Sequence, residues 1–145
     1  MNLRRSLLAL VATAFLFTPL AATAGDKVRV TVHVIHASKT PGKVDDRVKN
    51  LVKEMENFGF KSFTVHRVQE LKLKLNKPGE VELPDDRKLV VTALSRDAAG
   101  KLKIQVTIEK VVDTTYTISD GASILFGGPR HDDGTMVLAI TQSSD

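Results

Sequence analysis

The chain has 145 residues, 21 Lys and Arg against 17 Asp and Glu, a formal net charge of +4, and no cysteine. That length points to one domain with a modest core. The missing thiols exclude disulfides, thiolate metal sites, thiol nucleophiles and a lipid anchor on cysteine, so stability has to come from packing alone.

Residues 1–24 place Arg4 and Arg5 before an apolar run from Leu7 to Phe17, followed by Pro19 and Ala22-Thr23-Ala24. A charged start, an apolar centre and a small-residue end describe a cleaved signal peptide. Its apolar part is shorter than the ~20 residues a spanning helix needs, so no transmembrane span is expected after cleavage. Leu3 stands where a twin-arginine signal carries Ser or Thr, which favours the general export route. Scission at Ala24/Gly25 leaves a single domain, residues 25–145, expected in a bacterial periplasm or secreted. The leader holds two arginines and no acid, so its loss takes the formal charge from +4 to +2. The charge argument for nucleic acid weakens accordingly.

Residues 28–36 alternate Val28, Val30, Val32 and Val34 with Arg29, Thr31 and His33, the period of a strand with one buried face. After the turn residues 39–42, Val44, Val48, Leu51, Val52, Met55 and Phe58 form the apolar stripe of an amphipathic helix, about residues 44–58. Asp45 and Asp46 suit its first turn and Gly59 its end. Residues 60–75 return to alternation, with Val68 out of phase, which predicts a bulge between Arg67 and Glu70. Short strands follow at 81–83, 88–94 and 102–110, the last two as a hairpin. Residues 114–118 and 123–126 flank Asp120-Gly121 as a second hairpin, and 136–141 form the last strand. The order implies an α+β fold: one helix packed on a mostly antiparallel sheet of short strands, with a sandwich as the curled form of that sheet. The opening β-α-β order predicts strand 28–36 parallel to, or one position from, strand 62–68, through a right-handed crossover.

Chemistry-bearing residues are few. The run Gly127-Gly128-Pro129-Arg130-His131-Asp132-Asp133-Gly134 reads first as a connection between antiparallel strands, with Asp133-Gly134 as a turn. A sharper reading makes Arg130 and His131 a binding site, with His131, Asp132 and Asp133 as metal ligands, although adjacent residues seldom converge on one ion. His33 and His66 form a second metal candidate, because both fall in the polar phase of strands that could be neighbours and share the face away from the helix. His33 and His36 point to opposite faces of their strand. No G-x-S-x-G or H-E-x-x-H occurs, and the Asp45/Asp46 and Asp85/Asp86 pairs read as helix start and turn, so no enzyme activity and no cofactor are expected. Basic residues are dispersed through alternating strands, and two of the six Phe lie in the leader, so nucleic acid is not an expected partner.

The segment "ISDGASILFGG", residues 118–128, resembles a stretch of the bacterial secretin domain in which an apolar strand, a D-G turn and a second apolar strand end in G-G. The resemblance implies kinship of one hairpin, or a small periplasmic accessory of an envelope machine; it departs at Pro129-Arg130-His131. The whole pattern is also similar to that of small exported bacterial proteins of unknown function, which implies no mechanism. The expectation is a non-catalytic binding or assembly module of the periplasm or cell envelope, with an envelope protein as partner. The alternative is a small metal- or ligand-binding protein using the histidines and loop acids above.

Overall fold

The computed structural model describes residues 27–143, so the expected signal peptide, residues 1–24, lies outside them. Within the described residues the chain is mostly antiparallel sheet. Eight strands, β1 (Lys27–Ser38), β2 (Ser62–Lys74), β3 (Pro78–Leu83), β4 (Arg87–Arg96), β5 (Leu102–Ile108), β6 (Val112–Ile118), β7 (Ser123–His131) and β8 (Gly134–Ser143), make two four-stranded sheets. The first sheet has the order β2-β1-β8-β7 and the second β3-β4-β5-β6. The second is a meander, and the chain then returns to the first, where β8 closes on β1 from Arg29↔Ser143 to Ala37↔Thr135. No helix among the described residues is long and apolar enough to cross a membrane.

The period-2 pattern explains how these strands bury their side chains. One core cluster takes Val28, Val30, Val32 and Val34 from β1, Leu89 and Val91 from β4, Leu102, Ile104, Val106 and Ile108 from β5, and Met136, Leu138 and Ile140 from β8. One face of each sheet therefore feeds a shared core, and full burial of each Leu or Ile contributes about 1.5–3 kcal/mol. A second cluster holds Ile35 and Ala37 of β1, Phe63 and Val65 of β2, and Val137 and Ala139 of β8 under Val48, Leu51 and Met55 of the helix. The first sheet is thus apolar on both faces along its middle strands.

Expected bulge and observed bulge lie close together. Val34 pairs with Arg67 and Ile35 with Val65, so His66 is the extra residue. The insertion reverses the facing of β2: Phe63 and Val65 pack under the helix, whereas Leu71 and Leu73, of the same odd phase, enter the shared core.

The helix is shorter than its apolar stripe suggests. A 3-10 segment Asp46–Leu51 continues into α1 (Val52–Glu56). Asp45 caps it by accepting from the Arg47 amide at 3.0 Å. The Arg47 guanidinium hydrogen-bonds the same carboxyl and holds it far below the usual carboxylate range. Val44 falls outside the helix because it makes an isolated parallel bridge to Phe63. Phe58 lies past the helix end and is 67% exposed. Gly59 takes a left-handed φ of 84° and donates to the Glu56 carbonyl at 2.8 Å, as expected of a terminating glycine.

Two pairings differ from expectation. β1 and β2 are direct antiparallel neighbours, not parallel strands joined by a crossover. The helix lies over the face of its own strand pair, so the chain re-enters beside β1 in the reverse direction, and the handedness rule for parallel crossovers does not apply. The segments around Asp120-Gly121 are not a hairpin either: β6 pairs with β5 in the second sheet and β7 with β8 in the first. Turn chemistry permits a reversal there without dictating which strand each arm joins. The arms do touch, since Tyr116 of β6 stacks on Phe126 of β7 with ring centroids 5.6 Å apart. Gln142, fully buried on β8, links the sheets again. Its amide nitrogen donates to the Ile118 carbonyl at 2.9 Å and its oxygen accepts from the Arg96 guanidinium at 2.9 and 3.3 Å.

Candidate functional site

The run that stands out in the sequence is a tight hairpin. β7 continues through His131, β8 begins at Gly134, and Asp132-Asp133 alone make the turn. Asp132 takes the left-handed conformation, φ 49°, which Asp tolerates better than most residues. Gly134 is therefore not the turn residue expected of it. It has no positive φ; it is needed for space, because a Cβ there would press on the Ala37 carbonyl oxygen and stand 2.7 Å from His36 Nε2. A bulge between Gly127 and Arg130 reshapes the strand just before the turn.

Around this tip the structure gathers His36, His131, Asp85, Asp132 and Asp133. His131 Nδ1 donates to Asp85 Oδ2 at 2.8 Å, and its Nε2 lies 3.4 Å from Asp132 Oδ2. His36 Nε2 donates to the His131 carbonyl at 3.1 Å and lies 3.7 Å from Asp133 Oδ1. The two rings meet edge to face at 5.9 Å. The hydrogen bond from His131 to Asp85 holds the imidazole above its ordinary range, assisted by the charge of Asp132. Asp85 belongs to the β3–β4 turn, where it and Asp86 both have positive φ, so this bond ties the tip of the first sheet to a turn of the second.

Both His131 nitrogens face carboxylates and His36 Nε2 faces a carbonyl, which makes the cluster a hydrogen-bonded tie. No group of three or more His, Asp or Glu among the described residues is placed to hold a metal ion. Of the expected ligands, His131, Asp132 and Asp133 are together at the tip, with the imidazole committed as described. His33 and His66 do not share the face away from the helix. β1 alternates without interruption, so His33 lies on the side of Ile35 and Ala37, beneath the helix. There, burial and then the charge of Arg47 push its pKa down. His66 is the bulged residue of β2 and is exposed. Two members of the tip cluster, His36 and Asp85, stand out in the sequence only as a strand histidine and a turn carboxylate, not as members of a site. His36 carried a signal, since it continues the apolar phase of Val28–Val34; Asp85 carried none, being an ordinary turn residue 46 positions from its partner.

Arg130 faces away from this cluster. Its register partner is Thr135, on the helix-bearing side of the first sheet, where Val137 also lies. On that side the helix covers β1 and β2 and leaves the outer part of β8 and β7 open. A cavity of about 450 Å³ results, with Leu125, Gly127 and Val137 as its floor, Phe58 and Phe60 on the helix side, and Lys39, Arg130 and Thr135 at the hairpin end. Its volume falls within the range of roughly 300–1,000 Å³ typical of ligand sites, and the combination of apolar walls with few polar groups is also typical. Neither Lys39 nor Arg130 has a carboxylate partner among the described residues. A Cβ on Gly127 would meet nothing within 4 Å, so the cavity is open directly above it.

No protein-family model matches the chain, and neither a curated protein nor a solved structure matches it.

Proposed function

We propose that the protein is an exported, non-catalytic binding module, its two sheets stacked as a sandwich that carries a binding groove on the helix-bearing side. The observation that carries this reading is the apolar cavity between Phe58, Phe60 and β7, which leaves a large aromatic side chain 67% exposed at its edge. Covering the exposed two-thirds of that side chain with a bound apolar group would recover about 1–2 kcal/mol. The expectation of export rests on residues 1–24, and the resemblance of residues 118–128 to the secretin domain motivates an envelope setting. The test is titration with Nile red, a neutral dye whose emission rises in apolar surroundings. Binding to the wild type that is lost in Gly127→Leu supports the reading, because a Cβ at this position meets no protein atom within 4 Å and the rest of the side chain extends from there into the cavity. An unchanged signal in the variant, or no signal in the wild type, counts against it.

A second feature favours assembly with a protein partner. Among the described residues, four strands lie at sheet edges. β2 is guarded by Lys72 and Lys74, β3 by Pro78 and β7 by Pro129, whereas β6, Val112-Asp113-Thr114-Thr115-Tyr116-Thr117-Ile118, has neither Lys nor Pro. Such an edge can accept a strand from a partner. The chain lacks cysteine, so Thr115→Cys carrying a thiol-directed photocrosslinker reports on this edge alone. Crosslinking in the source cell should trap a discrete envelope adduct; recovery of monomer only would exclude this second reading.

A further inference from the structure

The groove can be assigned a ligand class, an inference that rests on the binding reading above. We propose that it takes a single-chain amphiphile with one anionic head, of the fatty carboxylate class, its carboxylate between Lys39 and Arg130 and its chain along the apolar floor. The strand register sets this polarity. Arg130 lies opposite Thr135, and Thr135 lies opposite Ala37, two residues before Lys39, so both cations stand at the same end of the first sheet. Val137 opposite Gly127, and Leu125 opposite Ala139, lie progressively further from that end. An occupant entering along the strands therefore meets charge at one end and only apolar walls beyond it. Both side chains lack a carboxylate partner among the described residues, and an arginine fork matches a carboxylate with two parallel hydrogen bonds. Thr135 lines the same end. The cavity, about 450 Å³, accommodates one acyl chain and not the two of a membrane lipid.

The experiment is displacement of Nile red from the full folded domain by decanoate, dodecanoate and tetradecanoate, each below its micelle concentration, with dodecanol as the uncharged comparison. Affinity should rise about fourfold for each added methylene as long as the chain stays within the groove. Dodecanoate should bind about tenfold more tightly than dodecanol in low salt, because the head makes charge-assisted hydrogen bonds. The advantage should shrink as salt rises. In the Lys39→Gln/Arg130→Gln double variant the ratio of acid to alcohol should fall to about one. Equal binding of acid and alcohol by the wild type, or an acid advantage that survives in the double variant, would overturn the assignment while leaving the binding groove in place. Dye displaced by none of these compounds points to a different occupant and also overturns it. Dye that fails to bind the wild type, or binds Gly127→Leu equally, removes the groove itself. A thermal melt of each variant separates loss of binding from loss of fold.

Discussion

Gly134→Ala should be one of the most costly single-methyl additions to this protein, and its cost can be worked from the contacts. Gly134 does not have a positive φ, so alanine meets no backbone penalty. The obstacle is space: the new methyl would press on the Ala37 carbonyl oxygen, lie 2.7 Å from His36 Nε2 and 3.1 Å from the Ala37 carbonyl carbon. Ala37 is backbone of a strand paired on both sides, so it cannot retreat without disturbing β2 or β8. His36 can rotate, but only by releasing the His131 carbonyl. Overpacking of this kind costs about 1–3 kcal/mol and the lost hydrogen bond about 1 kcal/mol more. For a domain of this size a loss of about 3 kcal/mol lowers Tm by about 10 °C. The control lies seven residues earlier: Gly127→Ala meets nothing within 4 Å and should leave Tm within a degree or two. Thermal melts followed by far-ultraviolet circular dichroism decide the matter. If the two variants melt together, the hairpin tip is not pressed against β1 as described.

The remaining predictions concern charge and the inter-sheet ties. His131 is held above its ordinary pKa of 6.5 by Asp85, so its contribution to stability is fully present below pH 6.5 and is lost as pH rises through the higher folded value. Asp85→Asn, which keeps a residue tolerant of φ 63°, should therefore fall furthest below the wild type in mildly acidic urea titrations and least in alkaline ones; an equal gap at both would refute the charge argument. His33 behaves in the opposite sense, because burial depresses its pKa: the stability it contributes is present above 6.5 and lost as pH falls through its folded value. In His33→Gln that acid-side decline should flatten, and a slope identical to wild type would show that His33 titrates as it does when unfolded. Gln142→Leu leaves the Ile118 carbonyl without its donor and should cost about 1–2 kcal/mol in chemical denaturation; a neutral result would mean that water or a neighbour replaces the amide.

Elements were legible wherever local period decided them. Alternation in Val28–Val34 and Leu102–Ile108 reported strands with one buried face, and both enter the shared core. Val68, out of phase, signalled the bulge that falls at His66. The stripe from Val44 to Phe58 located the helix but overstated its length, because an apolar residue can satisfy a stripe equally well from a bridge, as Val44 does, or from beyond the helix end, as Phe58 does. The antiparallel β4–β5 hairpin followed from two consecutive strand patterns. The turn at Asp120-Gly121 joins strands of different sheets, since a turn reverses the chain without choosing its partners.

Local sequence was enough for which segments extend, which one coils, the buried faces of Val28–Val34 and Leu102–Ile108, and the exclusion of all thiol chemistry. Those properties follow from backbone geometry over a few residues and from residue type. Long-range packing brought His36 rather than His33 to the hairpin tip, carried Asp85 to His131 across 46 positions, and put Arg130 and His131, adjacent in the chain, on opposite sides of one sheet. It also decided that the helix stops short of β7 and leaves the groove open. These depend on which faces bury each other across the whole chain, a collective minimum of apolar exposure and unpaired polar groups that no local period records.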